Sequence, residues 1–281
     1  SKQQSYLFIS NHRDIFMDAG LINFVIRKNG HDTARVAVGD NLLERPFAAD
    51  LIRLNKGFIV ERSVTGTRAV FSALQRTSGY IKKSLEEGNS VWIAQREGRS
   101  KDGFDRTDPA IIKMLALSYR DGAEDSYAKL LADIRIVPVA ISYEIDPCDL
   151  IKAHELFIRS RDGEYSKPAN EDLQSIVTGM TGFKGRVKLH FAPPLSGSFE
   201  NFESIAAAID NNIVSRLQVF PTHSLAAKRL GFLDHGSSLK VVPEVDELFG
   251  QRIADCPSDE KEFLLSGYAN LVRNKREISS G

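Results

Sequence analysis

Short apolar runs recur along the chain, separated by stretches with helical spacing, and this alternation constrains the fold more than any other feature. "YLFIS" (6–10) reads as a strand, and Ile15 to Lys28 reads as a helix. "ARVAVG" (34–39) is a second strand, followed by a short helix near 46–54 and a third strand, "GFIVE" (57–61). Residues 65–88 form the clearest helix: Val70, Leu74, Ile81 and Leu85 share one face, and Gly88 is a stop. "SVWIAQ" (90–95) is a strand that opens into a polar loop from Arg96 to Asp108, and Pro109 starts a helix through Leu117. "IRIVPVAISYE" (134–144) and "RVKLHFAPPL" (186–195) complete the strands. Pro138 suits a sheet edge or a bulge, and Tyr143 is placed to line a pocket.

From about Asn201 the strands fade, and three stretches ending at "RNKR" (273–276) read as helices. The pattern predicts an α/β fold: a mixed, largely parallel sheet flanked by helices, with a helical C-terminal part. Residues 1–200 form the α/β domain, and 201–281 are an extension packed on that same domain.

Composition excludes several classes. Lys+Arg and Asp+Glu each number 37, so there is no basic excess of the kind nucleic-acid binding needs, and no nucleic-acid partner is expected. Hydrophobic residues at 42% support a sizeable core. Two distant cysteines, Cys148 and Cys256, make neither a disulfide framework nor a zinc motif, which favours a reducing cytoplasm. The histidines at 31, 154, 190, 223 and 235 show no ligand spacing, so no metal is expected. No run reaches the ~20 apolar residues that span a bilayer, and no signal peptide is visible. The first strand begins almost at residue 1, which leaves open a preceding segment, a membrane anchor included.

Four segments carry candidate chemistry. "SNHRDIFMD" places His12 at a strand's C-terminal end, where α/β folds build their sites. An imidazole there can take a proton from an alcohol while a carboxylate holds its tautomer. The bland alternative is a structural His12 with Asp14 as an N-cap. "NKGFIVERS" (55–63) ends a strand in Arg62, with Lys56 before it, and "IAQREGRSKDG" (93–103) opens into Arg96, Glu97, Gly98, Arg99, Ser100 and Lys101. Arginines and a glycine-bearing loop at strand ends can hold a phosphate; solvated charged turns are the alternative. "IVPVAISYE" (136–144) reads as core strand.

In order, spacing and chemistry these four segments resemble the glycerophosphate acyltransferase superfamily, which includes bacterial 1-acylglycerol-3-phosphate and glycerol-3-phosphate acyltransferases. That family carries a histidine–aspartate block, an apolar block ending in arginine, a proline-glutamate-glycine-threonine-arginine block and a valine-proline strand. The matching residues are His12 with Asp18 or Asp14, Arg62, Glu97-Gly98-Arg99-Ser100, and Val137-Pro138. Two departures stand out: five residues rather than four separate His12 from Asp18, and the third block lacks its proline and threonine. Six residues along a regular helix turn through roughly 240°, so a His12–Asp18 pair needs His12 in the turn before the helix. A helix that begins earlier would favour Asp14.

The resemblance implies transfer of a fatty acyl group from acyl-CoA or acyl-carrier protein to a glycerol-phosphate-type hydroxyl in phospholipid biosynthesis. His12 is the implied base and Asp18 or Asp14 its orienting carboxylate. Arg62, Arg99, Glu97, Gly98, Ser100 and Lys56 are the implied phosphate-binding set, with Arg96 and Lys101 in support. No cofactor is implied beyond the thioester co-substrate. The expected partners are that donor, a glycerolipid precursor and a peripheral membrane surface, which places the protein in the cytoplasm at the inner face. An acidic carrier protein would seek a basic face such as Arg27-Lys28, Lys82-Lys83 or 273–276. The alternatives are the same chemistry on an amino-acid-lipid or glycolipid acceptor, and a non-catalytic lipid-binding protein of this fold.

Overall fold

The computed structural model describes residues 4–40, 46–119, 127–232 and 242–280. Six strands form one sheet: β1 (Leu7–Ser10), β2 (Arg35–Gly39), β3 (Gly57–Val60), β4 (Val91–Ala94), β5 (Ile136–Tyr143) and β6 (Val187–Phe191). Their order is β3-β2-β4-β1-β5-β6, parallel throughout except for the antiparallel β5/β6 pair. The helices are α1 (Met17–Lys28), α2 (Pro46–Leu54), α3 (Thr67–Glu86), α4 (Pro109–Ala116), α5 (Tyr127–Ile134) and α6 (Asp149–Asp162). They continue as α7 (Glu171–Thr181), α8 (Phe202–Arg216), α9 (Pro221–Arg229), α10 (Pro243–Asp255) and α11 (Lys261–Ser280). The chain is an α/β protein with a largely parallel sheet and a helical C-terminal part.

Strand alternation sorts the core into two layers. Leu7, Ile9, Val91, Ile93 and Ile136 face one side, where α3, α4, α5 and α8 cover them. Phe8, Trp92, Val137 and Val139 face the other, covered by Ala19, Ile22 and Ile26 of α1. A third cluster joins Ile145 and Ala153 to α9, α10 and α11. Ile205, Ile209 and Ile213 of α8 sit in the same cluster as Leu7 and Ile9, so the C-terminal helices share the core of the sheet.

Three local expectations are corrected. Helix α1 starts at Met17 rather than Ile15, which leaves His12 in the preceding turn. Val70 and Leu74 do not share the buried face of Ile81 and Leu85; they are 39% and 38% exposed and line a cleft. Pro138 lies inside the sheet, beside Ile9 of β1. Its carbonyl accepts from Ala192 N, so its missing N–H falls on the β6 side, beyond Phe191, where the ladder has ended.

Candidate active site

His12 lies two residues past the end of β1, and its Nδ1 is 2.9 Å from Asp18 Oδ2. That same oxygen accepts from the backbone N–H of Arg13 at 2.6 Å and of Asp14 at 3.0 Å. The Asp18 side chain is fully buried, and its other oxygen accepts from the Tyr143 hydroxyl at 2.8 Å. A carboxylate that collects only donors takes a hydrogen bond from His12 as well, so Nδ1 carries the proton and the Nε2 lone pair is left to accept one. The imidazole is 14% exposed and lines a cleft of about 630 Å³.

The turn that holds His12 is fastened from several sides. The Asn11 side chain exchanges two hydrogen bonds with the backbone of Ile141, at 2.9 and 2.8 Å, continuing the β1/β5 pairing in place of main chain. Ser100 N–H donates to the His12 carbonyl at 2.7 Å. The Arg13 carbonyl accepts from Lys152, and the Arg13 guanidinium donates to Asp105. Trp92 stands edge-on to the imidazole, with its indole N–H on Ser10 Oγ.

Asp14 does not reach His12. Its Oδ1 accepts from the N–H groups of Phe16 and Met17 and so caps α1. Its Oδ2 is buried against Gly179 of α7, without a hydrogen-bond partner among the described residues. Burial, and then the nearby Asp18 charge, push its carboxyl above the ordinary range.

Arg62, Glu97, Gly98 and Arg99 line the same cleft as His12, together with Arg96 and Lys101. Arg62 and Glu97 stand at the mouth and pair at 3.6 Å. Asp40 holds this end by accepting from the N–H groups of Arg62 and Ser63. Arg99 lies deeper, at 5% exposed; its Nη2 donates to Ser175 Oγ of α7 at 3.1 Å, and its Nη1 is buried with no partner among the described residues. Gly98 turns the loop at φ 72°, a backbone region that favours glycine.

Two residues of the expected phosphate set lie elsewhere. Lys56 precedes β3, at the opposite end of the strand from the cleft, and donates to the Thr33 carbonyl. Ser100 is buried behind the loop, where its hydroxyl donates to the Phe104 carbonyl. The cleft also has apolar walls, Ile15, Val38 and Trp92 on one face of the strand ends and Val70, Leu74 and Met114 on the other, beside further charged groups such as Glu61, Asp108 and Lys167.

Asn11, Asp105 and Ser175 are not marked as site residues by the sequence, whereas Tyr143, expected to line a pocket, stands behind Asp18 and outside the lining of the His12 cleft. Hydroxyls at the end of a mostly apolar β5, Ser142 and Tyr143, are the signal the sequence offers there. Among the described residues no His, Cys, Asp and Glu side chains are arranged to hold a metal ion, and no helix is long and apolar enough to cross a membrane. His235 lies outside the described residues.

No curated protein matches the chain. A family model described as acyltransferase matches residues 1–142, half of the chain, from before β1 to the penultimate residue of β5. That span contains His12, Asp18, Arg62 and Arg99, and the chain belongs to this family, the glycerophosphate acyltransferases.

Proposed function

We propose that the protein is an O-acyltransferase of phospholipid biosynthesis. It moves a fatty acyl group from acyl-CoA or acyl-carrier protein to a hydroxyl of glycerol-3-phosphate or 1-acylglycerol-3-phosphate. The observation that carries this reading is the cleft: a histidine with a free Nε2, arginines and apolar walls line one space.

The acceptor hydroxyl gives its proton to His12 Nε2 as its oxygen attacks the thioester carbonyl. Asp18 stays ionised and stabilises the imidazolium. The tetrahedral intermediate collapses, the C–S bond breaks, and the departing sulfur takes the proton back from His12 to leave as a thiol. A positioned base supplies about 10²–10⁴-fold, and holding both substrates in one cleft supplies much of the rest.

Arg99, with its unpartnered nitrogen, holds the acceptor phosphate, and Arg62 assists from the mouth. The apolar walls receive the acyl chain. The acylated product, and 1-acylglycerol-3-phosphate where that is the acceptor, favour a protein working at a membrane surface, on its cytoplasmic side.

Thiol release tests the reading. The protein is incubated with acyl-CoA or acyl-carrier protein and glycerol-3-phosphate, 1-acylglycerol-3-phosphate or an unphosphorylated acylglycerol. Turnover is expected on a phosphorylated acceptor and is lost in His12→Ala. Equal rates on the neutral acceptor, or full activity in His12→Ala, overturn it.

A further inference from the structure

Asp18 is held from both sides, and only one side has been given a role. Its Oδ2 receives His12 and two backbone N–H groups. Among the described residues its Oδ1 receives one donor, the Tyr143 hydroxyl, from the last position of β5. Building on His12 as the base, we propose that Tyr143 is a positioning residue: its O–H fixes the second oxygen of Asp18 and sets how strongly that carboxylate holds the His12 imidazolium.

The geometry excludes a direct part in the reaction. Tyr143 is absent from the lining of the substrate cleft; it borders instead a separate small pocket of about 40 Å³ shared with Arg13, Asp146, Lys152 and His223. At 6% exposed it cannot exchange its partner for bulk water. Burial, and then the Asp18 charge beside it, push its phenol well above the ordinary value, so it remains a donor at every working pH.

Two physical consequences follow from a donor at this place. A carboxylate turns about a soft terminal torsion that moves both oxygens together, so a donor on Oδ1 adds a second anchor against that turn to the three bonds on Oδ2. Tyr143 stops that rotation and keeps Oδ2 in line with Nδ1. The second consequence is electrostatic. Each donor on a buried carboxylate drains its negative charge, so a carboxylate short of one donor grips an imidazolium harder. Without Tyr143 the base would hold its proton too tightly to return it to the leaving thiolate.

Titration of His12 by NMR of a ring-¹³C-histidine-labelled chain decides the matter without any need for turnover. The His12 resonance is identified by its loss in His12→Gln. Tyr143→Phe should raise the His12 pKa by roughly 0.5 unit or more, because Asp18 becomes the stronger acceptor. Replacing Tyr143 alone with 3-fluorotyrosine, a slightly stronger donor of nearly the same shape, should lower it. A residue that only packs would alter unfolding and leave this titration in place. Curves that coincide within about 0.2 unit in all three proteins, or that move the same way in both variants, overturn the proposal. If Tyr143→Phe does not fold, the fluorotyrosine protein decides by itself. In the acyl-transfer assay, Tyr143→Phe should lower kcat about 10-fold and leave KM for the acceptor within about twofold. A wild-type protein that transfers no acyl group overturns the proposed reaction, while the titration still decides the role of Tyr143.

Discussion

Arg13 Nη2 and Asp105 Oδ2 meet at 2.5 Å, both side chains nearly sealed from solvent. The bond ties the residue after the histidine to the loop that carries Arg99. Asp105 is caught between opposing influences: burial raises its carboxyl above the ordinary range, and the Arg13 charge opposes that. Breaking such a pair from one side leaves a buried charge with no partner. Arg13→Ala is therefore expected to cost about 3–5 kcal/mol of stability, read from the urea midpoint at constant m-value. A loss below about 1 kcal/mol would show that the pair contributes nothing net.

Asp18 and Asp14 sit four residues apart and do different work. Asp18 holds the base, so Asp18→Asn is expected to lower kcat by about 10²–10⁴-fold with little change in stability beyond its own hydrogen bonds. Asp14 caps α1 through Oδ1, and its carboxyl is already pushed towards the neutral form. Asp14→Asn keeps that cap oxygen and should retain activity within about 10-fold, whereas Asp14→Ala should lose about 1 kcal/mol of stability. Steady-state rates on the two asparagine variants decide the assignment; the reverse ranking would make Asp14 the orienting carboxylate.

Much of this arrangement is legible in the sequence, because parallel strands buried on both faces read as apolar runs and their C-terminal ends can be marked directly. The positions of His12, Arg62 and Arg99 follow from that alone. The choice between Asp14 and Asp18 does not, since it turns on whether α1 begins two residues earlier or later, and helix boundaries are blurred by about that much. Helices α6 and α7 escaped notice for a different reason. Their inward faces carry Asp149, Lys152 and Glu155, or Glu171, Ser175 and Gly179, so burial follows charge pairing and close approach rather than apolar spacing. Lys56 precedes β3, and in a parallel sheet that order already puts it at the end away from His12; its charge alone suggested a phosphate contact.

Arg99 and Arg62 line the same cleft at different depths, and depth sets what each contributes. A buried guanidinium meets its anion with little competing water, whereas one at the mouth is screened. Arg99→Ala is expected to raise KM for a phosphorylated acceptor by about 30–1,000-fold, and Arg62→Ala by no more than about 10-fold. Equal effects would mean that the phosphate sits at the mouth and that Arg99 serves the fold through Ser175.

Gly179 permits α7 to reach the catalytic turn. A Cβ at this position would fall 2.1 Å from Asp14 Oδ2, and Asp14 is fixed by its cap bonds and cannot retreat. Gly179→Ala therefore pushes α7 outward and carries Ser175 off Arg99. The expected loss is about 1–3 kcal/mol of stability together with a raised acceptor KM. A variant of unchanged stability and KM would show that α7 has slack against the turn.

Asp210 of α8 accepts from both the N–H and the hydroxyl of Thr107, joining the C-terminal helices to the loop that enters α4. Burial outweighs those two bonds and raises its carboxyl from 3.8 to about 6. The sign follows from proton counting. Between pH ~4 and ~6 the folded state holds the proton that the unfolded state has released, so this group's contribution to stability falls as pH rises through that window. It is most favourable below the lower value and levels off above the upper one. About two pH units at about 1.4 kcal/mol each make the change about 3 kcal/mol. Asp210→Asn keeps an oxygen for Thr107 and cannot ionise, so its stability, relative to wild type, should climb across this window and then stay flat. Urea melts of both proteins at half-unit steps from pH 4 to 8 measure the difference, which cancels the other buried carboxylates they share. A difference that stays constant with pH would place the Asp210 carboxylate in water rather than against Thr107.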